Sequence, residues 1–208
     1  MKMDRFAVIG VAALAALLTT APDAQADTNC NETYTTFQSI TGNLNVPANA
    51  TCIFSAGVSV TANTTVGNGA TLLIAGGTVA GDVQGNNCGT VILFSVTVGG
   101  NVQIGNCRGT TAYPYGGVVE LSTIHGDFQC HNNTVAQYPC VLVSSQVIGN
   151  VQVMNNVSSS SVPPLIGGNA ISKNLECGNN VPAPTNFGLP NTVTGNPNQS
   201  SEGQCKGL

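Results

Sequence analysis

Charge is scarce in this sequence. Of its 208 residues, five are Lys or Arg and nine are Asp or Glu, which gives a formal net charge of −4. A disordered chain usually combines high net charge with low hydrophobicity, whereas 42% of these residues are hydrophobic. The low charge therefore excludes a disordered protein and indicates a folded chain.

Basic residues are scarcer than acidic ones. Beyond the first few positions, the sequence has only Arg108, Lys173 and Lys206. A protein that binds DNA or RNA needs a stripe of Lys and Arg to neutralise the phosphates. We therefore expect no nucleic-acid partner.

Helical periodicity and common catalytic motifs are also missing. Beyond residue 26, no segment repeats its apolar residues about every 3.6 positions, so strands and turns are expected throughout. The chain has no Gly-x-Ser-x-Gly elbow, no phosphate-binding loop and no His-Glu-x-x-His pair. The sequence thus predicts an all-β protein without a cofactor.

The N-terminus has the three parts of a signal peptide. A short basic start precedes an apolar run over residues 6–18, and Ala-Gln-Ala at residues 24–26 forms a small-residue cleavage site. The apolar run is too short to span a bilayer, which takes about 20 residues. We expect residues 1–26 to be a removed signal peptide, and the mature chain, 27–208, to be secreted, periplasmic or on the cell surface, with no transmembrane segment.

All eight cysteines lie in the mature chain. An even number of cysteines in an exported protein predicts four disulfides. The competing interpretation is a zinc site of His125, Cys130, His131 and Cys140, but these residues lack the paired C-x-x-C spacing of zinc sites. We therefore expect disulfides and no metal. The cysteines are Cys30, Cys52, Cys88, Cys107, Cys130, Cys140, Cys177 and Cys205.

One four-residue motif recurs along the chain. It consists of Gly, then Asn or Asp, then an apolar residue, then Gln or Asn, and its last copy is degenerate. The copies begin at Gly42, Gly81, Gly100, Gly126, Gly149 and Lys173. They are 39, 19, 26, 23 and 24 residues apart, and the first interval is close to two periods. This predicts a weak copy within residues 60–66 and about seven repeats in total.

The repeat length and composition predict the fold. Short β-branched runs between Gly and Asn, with a period of 19 to 26 residues, are typical of a parallel β-helix, whose coils stack and bury equivalent side chains. A sandwich rarely repeats a motif, and a propeller blade needs about 40 residues or more. The sequence predicts a single-domain β-solenoid over 41–180, between an N-terminal cap, 27–40, and a C-terminal cap, 181–208.

Equivalent residues of successive coils should form stacked rows. Alternation points the apolar residue of each motif inward and its polar neighbours outward, and the glycine is expected to permit a sharp turn into the strand. Amides about 4.8 Å apart can hydrogen-bond along the stack. A charged residue repeated in every coil would instead face an identical charge in the next coil. One row holds Asn43, Asp82, Asn101, Asp127, Asn150 and Asn174, and the other holds Asn45, Gln84, Gln103, Gln129, Gln152 and Glu176.

The repeat also predicts how the cysteines pair. Cys88 and Cys107 each follow their motif glycine by seven residues, so they should stack in adjacent coils within disulfide reach. The open ends of a β-helix expose strand edges, which disulfides near the ends would protect. The other expected pairs are Cys30 with Cys52 and Cys177 with Cys205 at the two ends, and Cys130 with Cys140 across the loop that lengthens one coil.

Several segments carry a family resemblance. The repeats Val-Gly-Gly-Asn-Val-Gln and Val-Ile-Gly-Asn-Val-Gln, the segments Asn-Leu-Glu-Cys at 174–177 and Pro-Ala-Pro-Thr at 182–185, residues 191–196, and the ending at 203–208 resemble a group of exported bacterial β-helix proteins. The resemblance implies a right-handed parallel β-helix outside the cytoplasm and no particular activity. The Gly-Asp-Val turns are also similar to those of bactofilins, cytoskeletal β-helices that polymerise end to end. The signal peptide, disulfides and caps depart from the bactofilin pattern.

Two acidic residues are the candidates for catalysis. Polysaccharide-degrading enzymes use clustered carboxylates, and Asp82 and Asp127 fall in one row with Asn101 between them. Their separation of roughly 9 to 10 Å is at the upper edge for an inverting glycosidase pair. Since the adjoining coils add no third acid or arginine, we interpret both residues as replacements of the turn Asn. Asp82, Asp127 and the nearby His125 are therefore weak catalytic candidates.

The longest loops contain the candidates for contact with a sugar ring, which are Tyr113, Tyr115 and Tyr138. The sequence favours a secreted, non-enzymatic structural or binding protein of the cell envelope or extracellular space. Its candidate partner is a cell-surface or extracellular polysaccharide. A polysaccharide-active enzyme, pectin-lyase-like or a glycosidase, and a self-assembling scaffold are the alternatives. The oligomeric state is left open.

Overall fold

The computed structural model describes residues 27–195 and 201–208. This part of the chain forms strands and turns, and it contains no helix that is long and apolar enough to cross a membrane. The predicted signal peptide, residues 1–26, lies outside the described residues.

The described residues form 24 short strands. In chain order they are β1 (Thr28–Asn29), β2 (Thr33–Tyr34), β3 (Gln38–Ile40), β4 (Leu44–Val46), β5 (Thr51–Phe54), β6 (Val58–Val60), β7 (Thr64–Val66), β8 (Thr71–Val79), β9 (Val83–Asn86), β10 (Thr90–Val98), β11 (Val102–Gly105), β12 (Gly117–Glu120), β13 (Thr123–Ile124), β14 (Phe128–His131), β15 (Thr134–Val135), β16 (Cys140–Val143), β17 (Gln146–Val147), β18 (Val151–Met154), β19 (Val157–Ser158), β20 (Leu165–Gly167), β21 (Ala170–Ile171), β22 (Leu175–Gly178), β23 (Thr192–Val193) and β24 (Ser201–Gly203).

Twenty-two of these strands form the three faces of a parallel β-solenoid of about seven coils, and β15 and β19 pair as a separate two-stranded sheet. The first face is a nine-stranded sheet in the order β1-β4-β7-β9-β11-β14-β18-β22-β24. The second and third faces belong to one 13-stranded sheet, because β8 and β10 run across both. The second face contains β2, β5, β12, β16 and β20, and the third contains β3, β6, β13, β17, β21 and β23. The all-β solenoid predicted from the repeat is confirmed.

The first face contains every copy of the motif. Its strands β4, β7, β9, β11, β14, β18 and β22 hold the seven copies, and β7 is the weak copy expected within residues 60–66. Strands β1 and β24 extend this sheet at its two ends. Parallel pairing therefore reaches into both segments that we predicted as terminal caps.

The core is a set of stacked apolar columns. In one column, Val83, Val102, Phe128, Val151 and Leu175 lie in register in successive coils, and all five are fully buried. Burying a side chain of this size stabilises the fold by about 1.5 to 3 kcal/mol. Each coil thus buries its apolar residues against the same position of its neighbours, as the repeat predicts.

The motif glycines make room for a side chain of the preceding coil. Gly81, Gly100, Gly126 and Gly149 all lack a left-handed φ. A Cβ on any of them would come within 3.0 Å of the Oδ1 atom of the preceding motif's Asn or Asp. The chain does bend at each of these four glycines, but without a left-handed φ, so close approach of two coils is what requires glycine there. Gly42, the first motif glycine, does have a left-handed φ of 101°.

All four predicted disulfides are present, and the described residues include no free cysteine. Their Cα–Cα distances lie between 4.5 and 6.2 Å, within the range of native disulfides. The pairs are Cys30–Cys52, Cys88–Cys107, Cys130–Cys140 and Cys177–Cys205.

A buried ladder of asparagines continues the column of Cys88 and Cys107. The Oδ1 atom of Asn133 accepts a hydrogen bond of 2.8 Å from the N–H of Cys107, and Asn156 and Asn180 repeat this contact in later coils. Gln204 ends the ladder by accepting from the N–H of Asn180 at 2.8 Å. The sequence analysis missed this ladder, although its asparagines stand seven residues after the motif start, as the two cysteines do.

The shared column leads to a first prediction. A variant with Asn at both 88 and 107 should extend the buried ladder, since each new amide could bond the next coil. We expect this Cys88→Asn/Cys107→Asn variant to be more stable than Cys88→Ala/Cys107→Ala by about 1 to 2 kcal/mol. Urea unfolding of both variants measures the difference. Equal stability would mean that the column does not accept further amides.

Candidate functional site

The outward side of the first face is a column of polar side chains in strict register. The pairing places Gln84, Gln103, Gln129 and Gln152 in successive coils. Thr65 belongs to the weak copy, and the column ends in two carboxylates. From end to end it holds Asn29, Asn45, Thr65, Gln84, Gln103, Gln129, Gln152, Glu176 and Glu202. The predicted second row is confirmed.

The amides in the middle of this column do not bond to one another. Asn45 donates to Oδ1 of Asn29 at 2.7 Å, and Gln152 donates to Oε2 of Glu176 at 3.3 Å. Among the described residues, the side-chain amides of Gln84, Gln103 and Gln129 have no partner. Bonding between amides along the stack, which the spacing permits, is therefore absent for these three, because partly exposed amides can be hydrated instead. They present donors and acceptors to solvent about 4.8 Å apart.

A groove of about 260 Å³ lies beside these amides. Its polar side chains come from three successive coils, and Gly105 leaves the space beside the imidazole ring of His131 without a side chain. The lining residues are Gln84, Gly85, Asn86, Gln103, Gly105, Asn106 and His131. No carboxylate and no lysine or arginine lines it. The groove therefore offers neutral hydrogen-bonding groups.

His131 and Gly105 depend on each other. They lie in register on β14 and β11, and a Cβ on Gly105 would collide with the imidazole ring of His131. The Nδ2 of Asn132 lies 3.2 Å from Nδ1 of His131. Because an amide nitrogen can only donate, Nδ1 accepts, and the proton of the neutral ring belongs on Nε2. The ring thus adds a donor to the groove.

The aspartates are parts of a second, outer ladder. In each of its steps, the Oδ1 atom of one motif Asn or Asp accepts from the backbone N–H of the equivalent residue in the next coil, at 2.6 to 3.4 Å. The ladder contains Asn43, Asn63, Asp82, Asn101, Asp127, Asn150 and Asn174. The predicted first row is thus present, with Asn63 added by the weak copy.

Two ladder positions carry a carboxylate in place of an amide. Asp82 accepts from both the N–H and Nδ2 of Asn101, at 2.6 and 3.2 Å. Asp127 makes the same two contacts with Asn150, at 2.7 and 3.1 Å. In each case one carboxylate oxygen accepts hydrogen bonds from the next coil. The Oδ1 atoms of the other ladder residues have the same structural role.

The structure does not bring the catalytic candidates together into a larger acidic centre. Asn101 lies between Asp82 and Asp127 in the ladder. His125 lies two residues before Asp127, and its side chain is exposed. Its backbone N–H donates to the carbonyl of Val98, on the third face, at 2.9 Å. In residues 27–195 and 201–208, no three His, Cys, Asp or Glu side chains are grouped so that they could hold a metal ion.

The tyrosine candidates lie in loops that stack on each other. The N–H of Gly116 donates to the carbonyl of Tyr138 at 3.1 Å, which places Tyr115 and Tyr138 in neighbouring loops. Tyr113 closes a turn by accepting from the N–H of Thr110 at 2.7 Å. All three are partly exposed, and none of them lines the groove beside Gly105.

No protein-family model, curated protein or solved structure matches this chain. Function must therefore be argued from the geometry of the chain itself. The four disulfides are consistent with an extracellular or otherwise oxidising compartment. The neutral groove and the three unpaired amides beside it form the candidate site, which we call the amide face: Gln84, Gln103, Gln129, Asn86, Asn106 and His131.

Proposed function

We propose that the protein is a secreted, non-enzymatic β-solenoid that binds a cell-surface or extracellular polysaccharide through its amide face. The observation that supports this most directly is the set of unpaired outward amides on Gln84, Gln103 and Gln129, beside a groove without charged side chains. Export is supported by the signal-peptide pattern of residues 1–26 and by the four disulfides.

A neutral sugar polymer fits the chemistry of this face. A sugar hydroxyl both donates and accepts hydrogen bonds, and so does a side-chain amide. The Nε2–H of His131 adds a donor at the edge of the groove. An anionic polymer would find no lysine or arginine among the lining residues. The face therefore favours uncharged hydroxyl-rich ligands.

The repeat of the face suits a polymer better than a single sugar. One exposed hydrogen bond contributes only about 0.5 to 1.5 kcal/mol. Amides that recur about every 4.8 Å allow one chain to make several such contacts, and linked contacts strengthen binding well beyond any single one. We therefore expect weak binding of monosaccharides and much tighter binding of long chains.

The rival function, polysaccharide cleavage, has less support. The carboxylates of Asp82 and Asp127 are already engaged with the next coil. A general acid or base must instead reach the scissile bond of a substrate. Both residues lie in a ladder where five of the seven positions are Asn, which supports a structural role.

Retention on immobilised polysaccharides tests the proposal. We expect the mature chain to bind at least one neutral polysaccharide of a panel, and Gln103→Ala and His131→Ala to weaken that binding about five- to tenfold each. Thr97→Ala, an exposed change on the third face, should bind as the wild type does. The proposal fails if no neutral polysaccharide is retained, or if the two amide-face variants bind unchanged.

A further inference from the structure

The second face carries an outward column of aliphatic side chains. Each member lies on the strand position that alternates with the buried core residues, as Ile53 does between buried Cys52 and Phe54. Pairing places all six members in register in successive coils. The column consists of Ile53, Leu73, Ile92, Val118, Val141 and Leu165, and we call this surface the aliphatic face. Five of them are partly exposed, whereas Val141 is buried.

This face differs from the other two in chemistry. The outward column of the first face consists of amides with one threonine and two glutamates, and that of the third face begins with Ser39, Ser59, Thr78, Thr97 and Thr123. The aliphatic column is bounded by Thr33 at one end and Thr185 at the other. An apolar patch with polar ends, interrupted at the surface only where Val141 is buried, is typical of an interface rather than of a free surface.

The flanking column makes the patch wider. Phe94 is 43% exposed. It lies in register with Ala75 in the preceding coil and with Glu120 in the following one. Val143 follows Glu120 in the next coil. Next to this column, Leu121 is 52% exposed at the corner toward the third face. Glu120 is thus the one charged residue among these flanking positions.

We propose that the aliphatic face binds the aliphatic face of a second copy of this chain, giving a face-to-face dimer. Stacked sheets interdigitate side chains across a gap of about 10 Å. A second copy has the same repeat of about 4.8 Å along its whole length. Its side chains can therefore fill the spaces between coils at every step, which an apolar surface of another spacing cannot do.

The size of the face agrees with a dimer of moderate affinity. The eight positions from Thr33 to Thr185 are seven steps apart and span about 34 Å, and four to five residues across the strand span about 15 Å. The contact would cover about 500 Å² on each copy, or about 1,000 Å² in total, which is the lower end for specific interfaces. We therefore expect a dissociation constant in the micromolar range.

This inference goes beyond the proposed function and does not depend on it. In the dimer, the two amide faces remain free and point away from the interface. Each dimer would then present two ligand-binding faces, which raises the avidity for a polymer.

Sedimentation velocity of the oxidised mature chain tests the dimer without any polysaccharide. The wild type should shift from monomer to dimer between about 1 and about 100 µM. Ile92→Lys places a charge in the middle of the face and should raise the dissociation constant about tenfold or more. Thr97→Lys puts the same charge on the third face of the same strand, and it should dimerise like the wild type.

Circular dichroism and non-reducing mass mapping establish that both variants keep the fold and the four disulfides. The proposal is overturned if the wild type stays monomeric up to about 100 µM. It is also overturned if Ile92→Lys dimerises as well as the wild type, since the interface would then lie elsewhere. Equal loss of dimer in Thr97→Lys would contradict it too, because net charge rather than the aliphatic face would then control association.

Discussion

Replacing Asn156 with Leu is expected to lower the free energy of unfolding by about 3 to 5 kcal/mol. The side chain is fully buried. Its Oδ1 accepts from the N–H and Nδ2 of Asn133 at 3.1 and 3.0 Å, and its Nδ2 donates to Cys130 and Asn180, both at 2.9 Å. Leucine would leave these partners without a hydrogen bond in a site that water does not reach, and each such unsatisfied group costs about 1 to 3 kcal/mol.

The matched control is Asn150→Leu in the same coil. Asn150 belongs to the outer ladder and is only partly buried, so water can replace the bonds that are lost. We expect this change to cost about 1 kcal/mol. Urea unfolding of both variants gives the two values. If they are equal, the buried ladder does not hold the coils together as we infer.

The second large effect is expected at a motif glycine. Gly149→Ala should lower the free energy of unfolding by about 3 to 5 kcal/mol. The added Cβ would collide with the backbone carbonyl of Gly126 and with Oδ1 of Asp127. This carbonyl accepts a hydrogen bond of 3.0 Å from the backbone N–H of Gly149 itself, so it cannot move aside without breaking that contact between the coils. The alanine would therefore force two coils apart.

Gly178→Ala is the control for this effect. It also lies on the first face, but its Cβ would meet only the flexible end of Met154, at 3.0 Å from the sulfur. We expect a cost below about 1 kcal/mol. Thermal or urea unfolding measures both changes. A small effect at Gly149 would show that the coils can separate there, contrary to the role that we assign to the motif glycines.

A double substitution distinguishes side-chain from backbone crowding. At Gly81 the Cβ would meet Oδ1 of Asn63, and its nearest backbone contact is 3.0 Å from Ala62. Asn63→Ala should therefore relieve part of the damage from Gly81→Ala. We expect the double variant to lose less stability than the sum of the two single variants. Simple additivity would contradict the coupling between each glycine and the preceding Asn.

The sequence predicted the features that repeat with the motif. The solenoid, the outward rows and the Cys88–Cys107 disulfide follow from the intervals between copies, because a stacked coil turns a repeat in sequence into a neighbour in space. The other three disulfides were predicted from the places of their cysteines at the two ends and across the long loop. The intervals would also have predicted the buried ladder. Asn133, Asn156 and Asn180 stand at the spacing that led to the Cys88–Cys107 pair, but asparagine is so common in this chain that the three copies did not attract notice.

Other features depend on side-chain direction, which the motif does not encode. The block Leu72-Leu73-Ile74 looks like core in the sequence, and only the register shows that Leu73 points outward to join the aliphatic face. The groove depends on the placement of His131 over Gly105, two residues 26 positions apart. Both stand five residues after their motif glycine, so the repeat places them in adjacent coils. The spacing does not show that the imidazole ring turns over the glycine, so the sequence alone could not predict the groove.

The scarcity of charge also has a structural explanation. Residues at equivalent positions lie next to each other in successive coils, and they are often of the same type. Two like charges in such neighbouring positions are destabilising. Glu176 and Glu202 are an exception, since they are in register at the end of the stack. Elsewhere on the first face, the ladder alternates Asp82 and Asp127 with Asn101 and Asn150, so that no two carboxylates are adjacent in that ladder.

The central claim is that the amide face binds a polysaccharide without cleaving it. The most direct test incubates the mature wild type with a polysaccharide that retains it, and measures bound protein and newly formed chain ends in the same sample. We predict retention with no new chain ends, and identical binding by Asp82→Asn/Asp127→Asn. Chain ends that accumulate with the wild type, but not with this double variant, would contradict the account and establish a carboxylate-dependent enzyme.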